Sequence, residues 1–277
     1  MSIKLRNSKS IVTEDHWEDL KQFTDARIAL GRCGAAIPLS EVLKFKMAHA
    51  QARDAVHTDF DVKPIEDYLS KFSIRFLELQ SHADDRSNYL VRPDLGRILS
   101  PESVDTLKEW SKQERDSIDF TLVISDGLSA TAMHENVIPF LSAFFPMFQL
   151  SGLNMGPVIL VKQGRVAVGD HIAELLKSKS VAILIGERPG LSSPDSMGIY
   201  LSYNARVGTT DEVRNCISNV RKAGLSYYAA AQKLSYLLEQ SHLRSISGVN
   251  LKDDMLDDYK PFSGFLQQAA EVDFIKP

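Results

Sequence analysis

Apolar positions along the chain follow two patterns that change over near residue 92. Across residues 15–60 they recur at helical spacing, as with Val42, Leu43, Met47 and Ala50, and Ser40 stands before them as a candidate N-cap. Pro64 opens a second helical stretch carrying Ile65, Tyr68, Leu69 and Phe72, and Ile74, Phe76 and Leu79 then read as a strand. Residues 82–88 are polar and turn-like, after which Tyr89-Leu90-Val91 predicts a partner strand ending at Pro93. This divides the chain into a smaller, mainly helical N-terminal region, 1–92, and a domain over 93–277.

In the second region short apolar runs alternate with helical stretches. Strands are predicted over 120–124, 157–161, 181–185 and 199–203, and helices over 132–148, 170–176 and 226–240. Ser129 is placed to cap the first of these helices, whose apolar residues cover most of its faces, and Pro139 and Pro146 are expected to bend or end it. Strands joined through helices imply right-handed crossovers, so the expected fold is α/β, a Rossmann-like parallel sheet covered on both faces. Ligands of such sheets sit beyond the carboxyl ends of the strands, where crossovers depart in opposite directions.

Composition narrows the function. With 277 residues, 44% of them hydrophobic, the chain can bury a sizeable core. An eight-stranded α/β barrel takes about 250 residues, and the alternating pattern begins only after residue 117, so any barrel chemistry would belong to another chain. A net charge of −4 with scattered basic residues speaks against nucleic acid or an anionic membrane as partner. No stretch approaches the roughly 20 apolar residues of a membrane span, and the polar residues after Arg6 do not support a secretory signal. Cys33 and Cys216 lack paired spacing, and none of the seven histidines forms a His-Glu-x-x-His pattern. A reducing cytoplasm is the simplest compartment.

Three polar strings invite chemistry: Ser125-Asp126-Gly127-Leu128-Ser129-Ala130, Gly186-Glu187-Arg188-Pro189-Gly190-Leu191, and Arg214-Asn215-Cys216-Ile217-Ser218-Asn219, each read as a loop at a strand end. The first resembles a phosphate-binding turn at a helix N-terminus but lacks both the dinucleotide and the Walker fingerprint, so a plain strand–turn–helix connection is the favoured reading. In the second, Glu187 and Arg188 either present hydrogen-bonding groups to a large ligand or form a structural ion pair. Cys216 has no histidine near it in sequence, which leaves a packing role or a ligand contact.

Together with Arg92-Pro93-Asp94-Leu95-Gly96-Arg97, and with Arg27-Ile28-Ala29-Leu30-Gly31-Arg32 and Ala52-Arg53-Asp54-Ala55-Val56-His57 upstream, these strings in this order resemble the light chain family of ethanolamine ammonia-lyase. The resemblance covers about residues 24–251. It implies a subunit inactive alone, which packs against a large barrel subunit and helps enclose adenosylcobalamin at their interface. The reaction converts ethanolamine into acetaldehyde and ammonia after homolysis of the cobalt–carbon bond, on a substrate pocket in the larger chain. By the same resemblance the cofactor contacts are Glu187, Cys216 and Val166, the last within Arg165-Val166-Ala167-Val168 and read as an edge strand. No residue here is nominated as catalytic, and without an Asp-x-His-x-x-Gly string the chain is not expected to ligate cobalt. Location in an ethanolamine-utilisation microcompartment, directed by residues 1–23, extends the cytoplasmic expectation. A stand-alone nucleotide-binding enzyme and a non-catalytic scaffold are the competing readings.

Overall fold

The computed structural model describes residues 11–265, so residues 1–10 of the proposed targeting segment lie outside it. The helical expectation for 15–60 holds only in part. A short 3-10 turn at Glu18–Phe23 is followed by extended backbone, and helix α1 occupies Leu39–His57. Left-handed backbone at Ala29, Gly31 and Gly34, then Pro38, interrupts any earlier helix, and Ser40 falls inside the first turn rather than before it. Of the apolar residues on α1, Leu43 and Met47 remain exposed.

Six strands form one sheet: β1 Phe76–Gln80, β2 Phe120–Ser125, β3 Val158–Lys162, β4 Ser180–Gly186, β5 Met197–Tyr203 and β6 Arg214–Val220, in the order β1-β3-β2-β4-β5-β6. The first four in that order run parallel, and β1, which precedes the expected boundary at residue 92, pairs with β3 beyond it. The expected α/β class is present, but the sheet is mixed, because β5 runs antiparallel to β4 and β6 antiparallel to β5. Only residues 187–196 separate β4 from β5, too few for a crossover helix. The stretch expected as a loop at 214–219 is strand β6; its apolar contribution to the core is only Ile217 and Val220, which hides the strand pattern.

The helices are α2 Lys63–Lys71, α3 Arg86–Val91, α4 Pro101–Gln113, α5 Ala130–Phe148, α6 Val168–Leu176 and α7 Tyr227–Arg244. Alternating side chains of β2 divide the core: Phe120, Leu122 and Ile124 pack with Phe140, Phe144, Leu234 and Leu238, while Val123 joins Leu107, Ile172, Ile159 and Ile183 on the other face. Tyr89-Leu90-Val91 is not a strand but the end of α3, which Asp85 caps by accepting the Asn88 N–H at 2.8 Å. Helix α4 carried no strong apolar signal, since only Ser103 and Leu107 of it are buried. Ser129 caps α5 as expected, accepting the Ala132 N–H at 3.1 Å. That helix nevertheless runs through Pro139 and Pro146. The carbonyls left without a helical donor belong to Glu135 and Ser142, both on exposed residues where water can serve them.

Asp126 ties the ends of β2 and β3 to the N-terminal region. It accepts the Gln163 N–H at 2.8 Å and pairs with Arg86 of α3 at 3.1 Å. Burial nonetheless pushes its carboxyl up to about 6 against the pull of Arg86. The folded chain therefore keeps this proton where the unfolded chain has lost it. The stability from Asp126 is full below about pH 4 and is lost as pH rises through about 6. Urea unfolding of the chain between pH 4 and pH 6.5 is expected to show a decline of about 2–3 kcal/mol that is absent in Asp126→Asn; parallel pH profiles for the two proteins would contradict it.

Candidate functional site

The crevice where a ligand was expected is closed. The chain leaves β2 by a crossover to β3 and β4 by a hairpin to β5 on its other side, but the loops that follow these two strands are packed together. Leu128 N–H donates to the Gly186 carbonyl at 2.9 Å, and a Cβ on Gly186 would run into the carbonyl oxygens of Asp126 and Ser129. The Ser129 hydroxyl is spent on the Pro194 carbonyl at 2.8 Å. The Asp126 string is thus a strand–turn–helix connection.

Open space lies instead on the antiparallel margin. Registers Tyr200↔Cys216 and Ser202↔Arg214 place these four residues on one face of β5 and β6. The opposite face carries Ile199, Leu201 and Ile217, buried on the α7 side. Helix α6 packs on β4, leaving Tyr200 half-buried and Cys216 exposed. Between this margin and the turn that precedes α6 runs a cleft of about 510 Å³, whose walls include Arg97, Arg165, Val166, Tyr200, Arg214 and Cys216.

Val166 and Cys216 therefore meet in one cleft, though neither sits as expected: Val166 is in the turn before α6 rather than on an edge strand, and Cys216 is mid-strand. Glu187 lies in the loop after β4, as expected, and is not among the lining residues. It forms no ion pair with Arg188 among the described residues. Its carboxylate accepts the Ser196 hydroxyl and, at 3.4 Å, the Asn219 N–H. That N–H is aimed by a β-bulge, since two residues of β6, Ser218 and Asn219, stand opposite the single residue Gly198.

Electrostatics couple Cys216, Tyr200 and Glu187. Desolvation raises the Cys216 thiol, the Tyr200 hydroxyl contact draws it down in part, and the Glu187 charge raises it again. Burial likewise raises the Tyr200 hydroxyl, with the neighbouring thiol and Glu187 adding to the effect. At neutral pH both groups are uncharged, so the margin offers a phenol, a thiol and one carboxylate as hydrogen-bonding groups. Among the described residues no group of three or more His, Cys, Asp or Glu could hold a metal ion, and no helix is long and apolar enough to cross a membrane.

Arg214 fixes the geometry. Its Nη1 and Nη2 donate to the two oxygens of Asp170, in the first turn of α6, at 2.6 and 2.8 Å, and Nη2 also reaches the Thr209 carbonyl at 2.8 Å. Both side chains of the pair are almost fully buried, at 3% and 2% exposure. Neither Asp170 nor Tyr200 had a signal in the sequence, because the contacts that give them meaning span 44 and 16 positions. Arg214→Met is expected to cost about 3–5 kcal/mol by stranding Asp170, and the double variant Arg214→Met/Asp170→Leu to recover most of it. Urea unfolding checks this; a single variant as stable as the parent would refute the anchoring role.

Comparison with known proteins places this geometry in context. A profile of the ethanolamine ammonia-lyase light chain family matches residues 14–252. The ethanolamine ammonia-lyase small subunit of Pseudomonas fluorescens strain SBW25 is 52% identical over 241 residues, 87% of this chain and 87% of that one. The small subunit from Azotobacter vinelandii is 49% identical over 248 residues, 90% of this chain and 92% of its own length. That of Pseudomonas syringae pv. tomato is 50% identical over 238 residues, 86% and 83% of the two chains.

Proposed function

The chain belongs to the ethanolamine ammonia-lyase light chain family, and from that premise we propose that its cleft holds one edge of adenosylcobalamin while a large, barrel-forming subunit encloses the rest. The observation that carries this reading is the opening beside Tyr200 and Cys216 on one face of β5 and β6, where Val166 and Cys216 share a cleft that Glu187 adjoins. A cleft of about 510 Å³ suits a drug-sized molecule. A corrinoid is much larger, so its remaining surface needs a second chain.

The residues present fit that cofactor. Its corrin ring is fringed with amide side chains, which both donate and accept hydrogen bonds. Glu187 accepts, and the Tyr200 hydroxyl and the Cys216 thiol do either. When bound, the cofactor supplies the radical chemistry of the family's reaction. This chain's residues orient the cofactor and keep water from one side of it, and the cleft walls include no histidine to serve as a proton carrier. The closed crevice between β2 and β4 weighs against the nucleotide-binding alternative. A microcompartment location, carried by residues 1–23, remains part of the proposal.

The isolated chain is expected to retain no cobalamin, and its complex with a barrel-forming large subunit to purify with a cobalamin absorption spectrum. In that complex Glu187→Ala should weaken cobalamin affinity about tenfold, the worth of one charge-assisted hydrogen bond, without moving the unfolding midpoint appreciably. Equal affinity in mutant and parent complexes would remove Glu187 from the site.

A further inference from the structure

The charges around the cleft do not balance. Its two wall carboxylates are already engaged: Asp94 is held by Arg92 through bonds of 2.9 and 2.7 Å, and Asp211 accepts Arg214 Nε at 3.1 Å. Arg214 is further matched by Asp170. Arg97 and Arg165 also line the cleft, and neither has a carboxylate within ion-pair distance among the described residues.

Arg165 is held rigidly. Its guanidinium carbon lies 4.2 Å from the centre of the Tyr89 ring, its Nη2 donates to the Tyr89 carbonyl at 3.2 Å, and its backbone N–H donates to the Gly96 carbonyl at 2.7 Å. Tyr89 is itself fully buried, with its hydroxyl on the Gly164 carbonyl at 3.0 Å. The arrangement requires glycine at 96, where a Cβ would stand 2.8 Å from Arg165 Cγ and 2.9 Å from Tyr89 Cε2. Within this seat the Arg165 Nε is buried and has no acceptor. Arg97, next to Gly96, is exposed, and its side chain makes no hydrogen bond among the described residues.

We propose that Arg165 and Arg97 form an anion subsite that receives the phosphodiester linking the corrin ring to its nucleotide base. The inference rests on the cofactor reading above and deepens it. The ring's peripheral groups are amides, so the phosphodiester is the permanent anion that a corrinoid brings into this cleft. A guanidinium presents paired donors to two phosphate oxygens, and a preorganised one loses little freedom on binding. A carboxylate from the companion subunit would satisfy the same donors, and the experiment separates the two sources.

The test uses the complex with the large subunit and compares cyanocobalamin with cobinamide, which keeps the corrin amides and lacks the phosphodiester and base. Equilibrium dialysis read by corrin absorbance gives both affinities. Arg165→Gln and Arg97→Gln are each expected to lower cobalamin affinity about tenfold and to leave cobinamide affinity within about twofold, whereas Glu187→Ala lowers both. Arg97→Gln, at an exposed position without side-chain bonds, keeps the test valid if Arg165→Gln loosens the fold around Tyr89. Equal losses for the two corrinoids, or no loss for either, would overturn the subsite while leaving cofactor binding intact. So would weaker subunit assembly without corrinoid, which would assign the arginines to a partner carboxylate. A parent complex that binds neither corrinoid would sink the cofactor reading and the subsite with it.

Discussion

A buried ion pair between Arg214 and Asp170 joins the antiparallel margin of the sheet to the helix that covers its parallel part, and the cleft exists because of it. Strand β6 is the last strand of the sheet, with α7 under one face and, among the described residues, no helix closely packed on the other. Nothing apolar on that second face would hold it to α6. The pair does so with direction as well as attraction, since both guanidinium nitrogens meet both carboxylate oxygens and the Thr209 carbonyl takes a further donor. Such a pair is a weak source of net stability and a strong constraint on geometry, because neither partner can leave without stranding a charge.

That constraint explains why the site is lateral. In doubly wound sheets the usual ligand crevice opens where crossovers diverge. Here the backbone of Gly186 fills the corresponding gap against Asp126 and Ser129. The chain then turns back through ten residues instead of crossing over, and the hairpin it adds extends the sheet past the reach of α6. A sheet face without a covering helix must meet water or another molecule. Where it is open, this one presents a phenol and a thiol, opposite the guanidinium groups of Arg97 and Arg165 on the facing wall of the cleft.

The remainder of the molecule is consistent with a chain that works in company. Leu39, Leu43 and Met47 on α1, and Trp17 and Phe23 before it, are exposed. The cleft is too small for a whole corrinoid, and its excess of positive charge is unmatched within the described residues.

What the amino-acid sequence determined alone is the α/β class, the strands β1 to β5, and the helices α2, α5, α6 and α7, because these depend on local periodicity and, for α5, on a cap within three residues. The family motifs also brought Val166, Glu187 and Cys216 to notice, although not their setting. Tertiary structure decided the rest. Tyr89-Leu90-Val91 is apolar enough for a strand until Asp85 caps it into a helix that delivers Arg86 to Asp126. Strand β6 reads as a loop until pairing with β5 supplies the hydrogen bonds its side chains do not advertise. The charge balance that singles out Arg97 and Arg165 becomes visible only once Arg92, Asp170 and Asp211 have found their partners. Pairing between residues distant in the chain carries no local period, and that is the physical reason it could not be read from the order of residues.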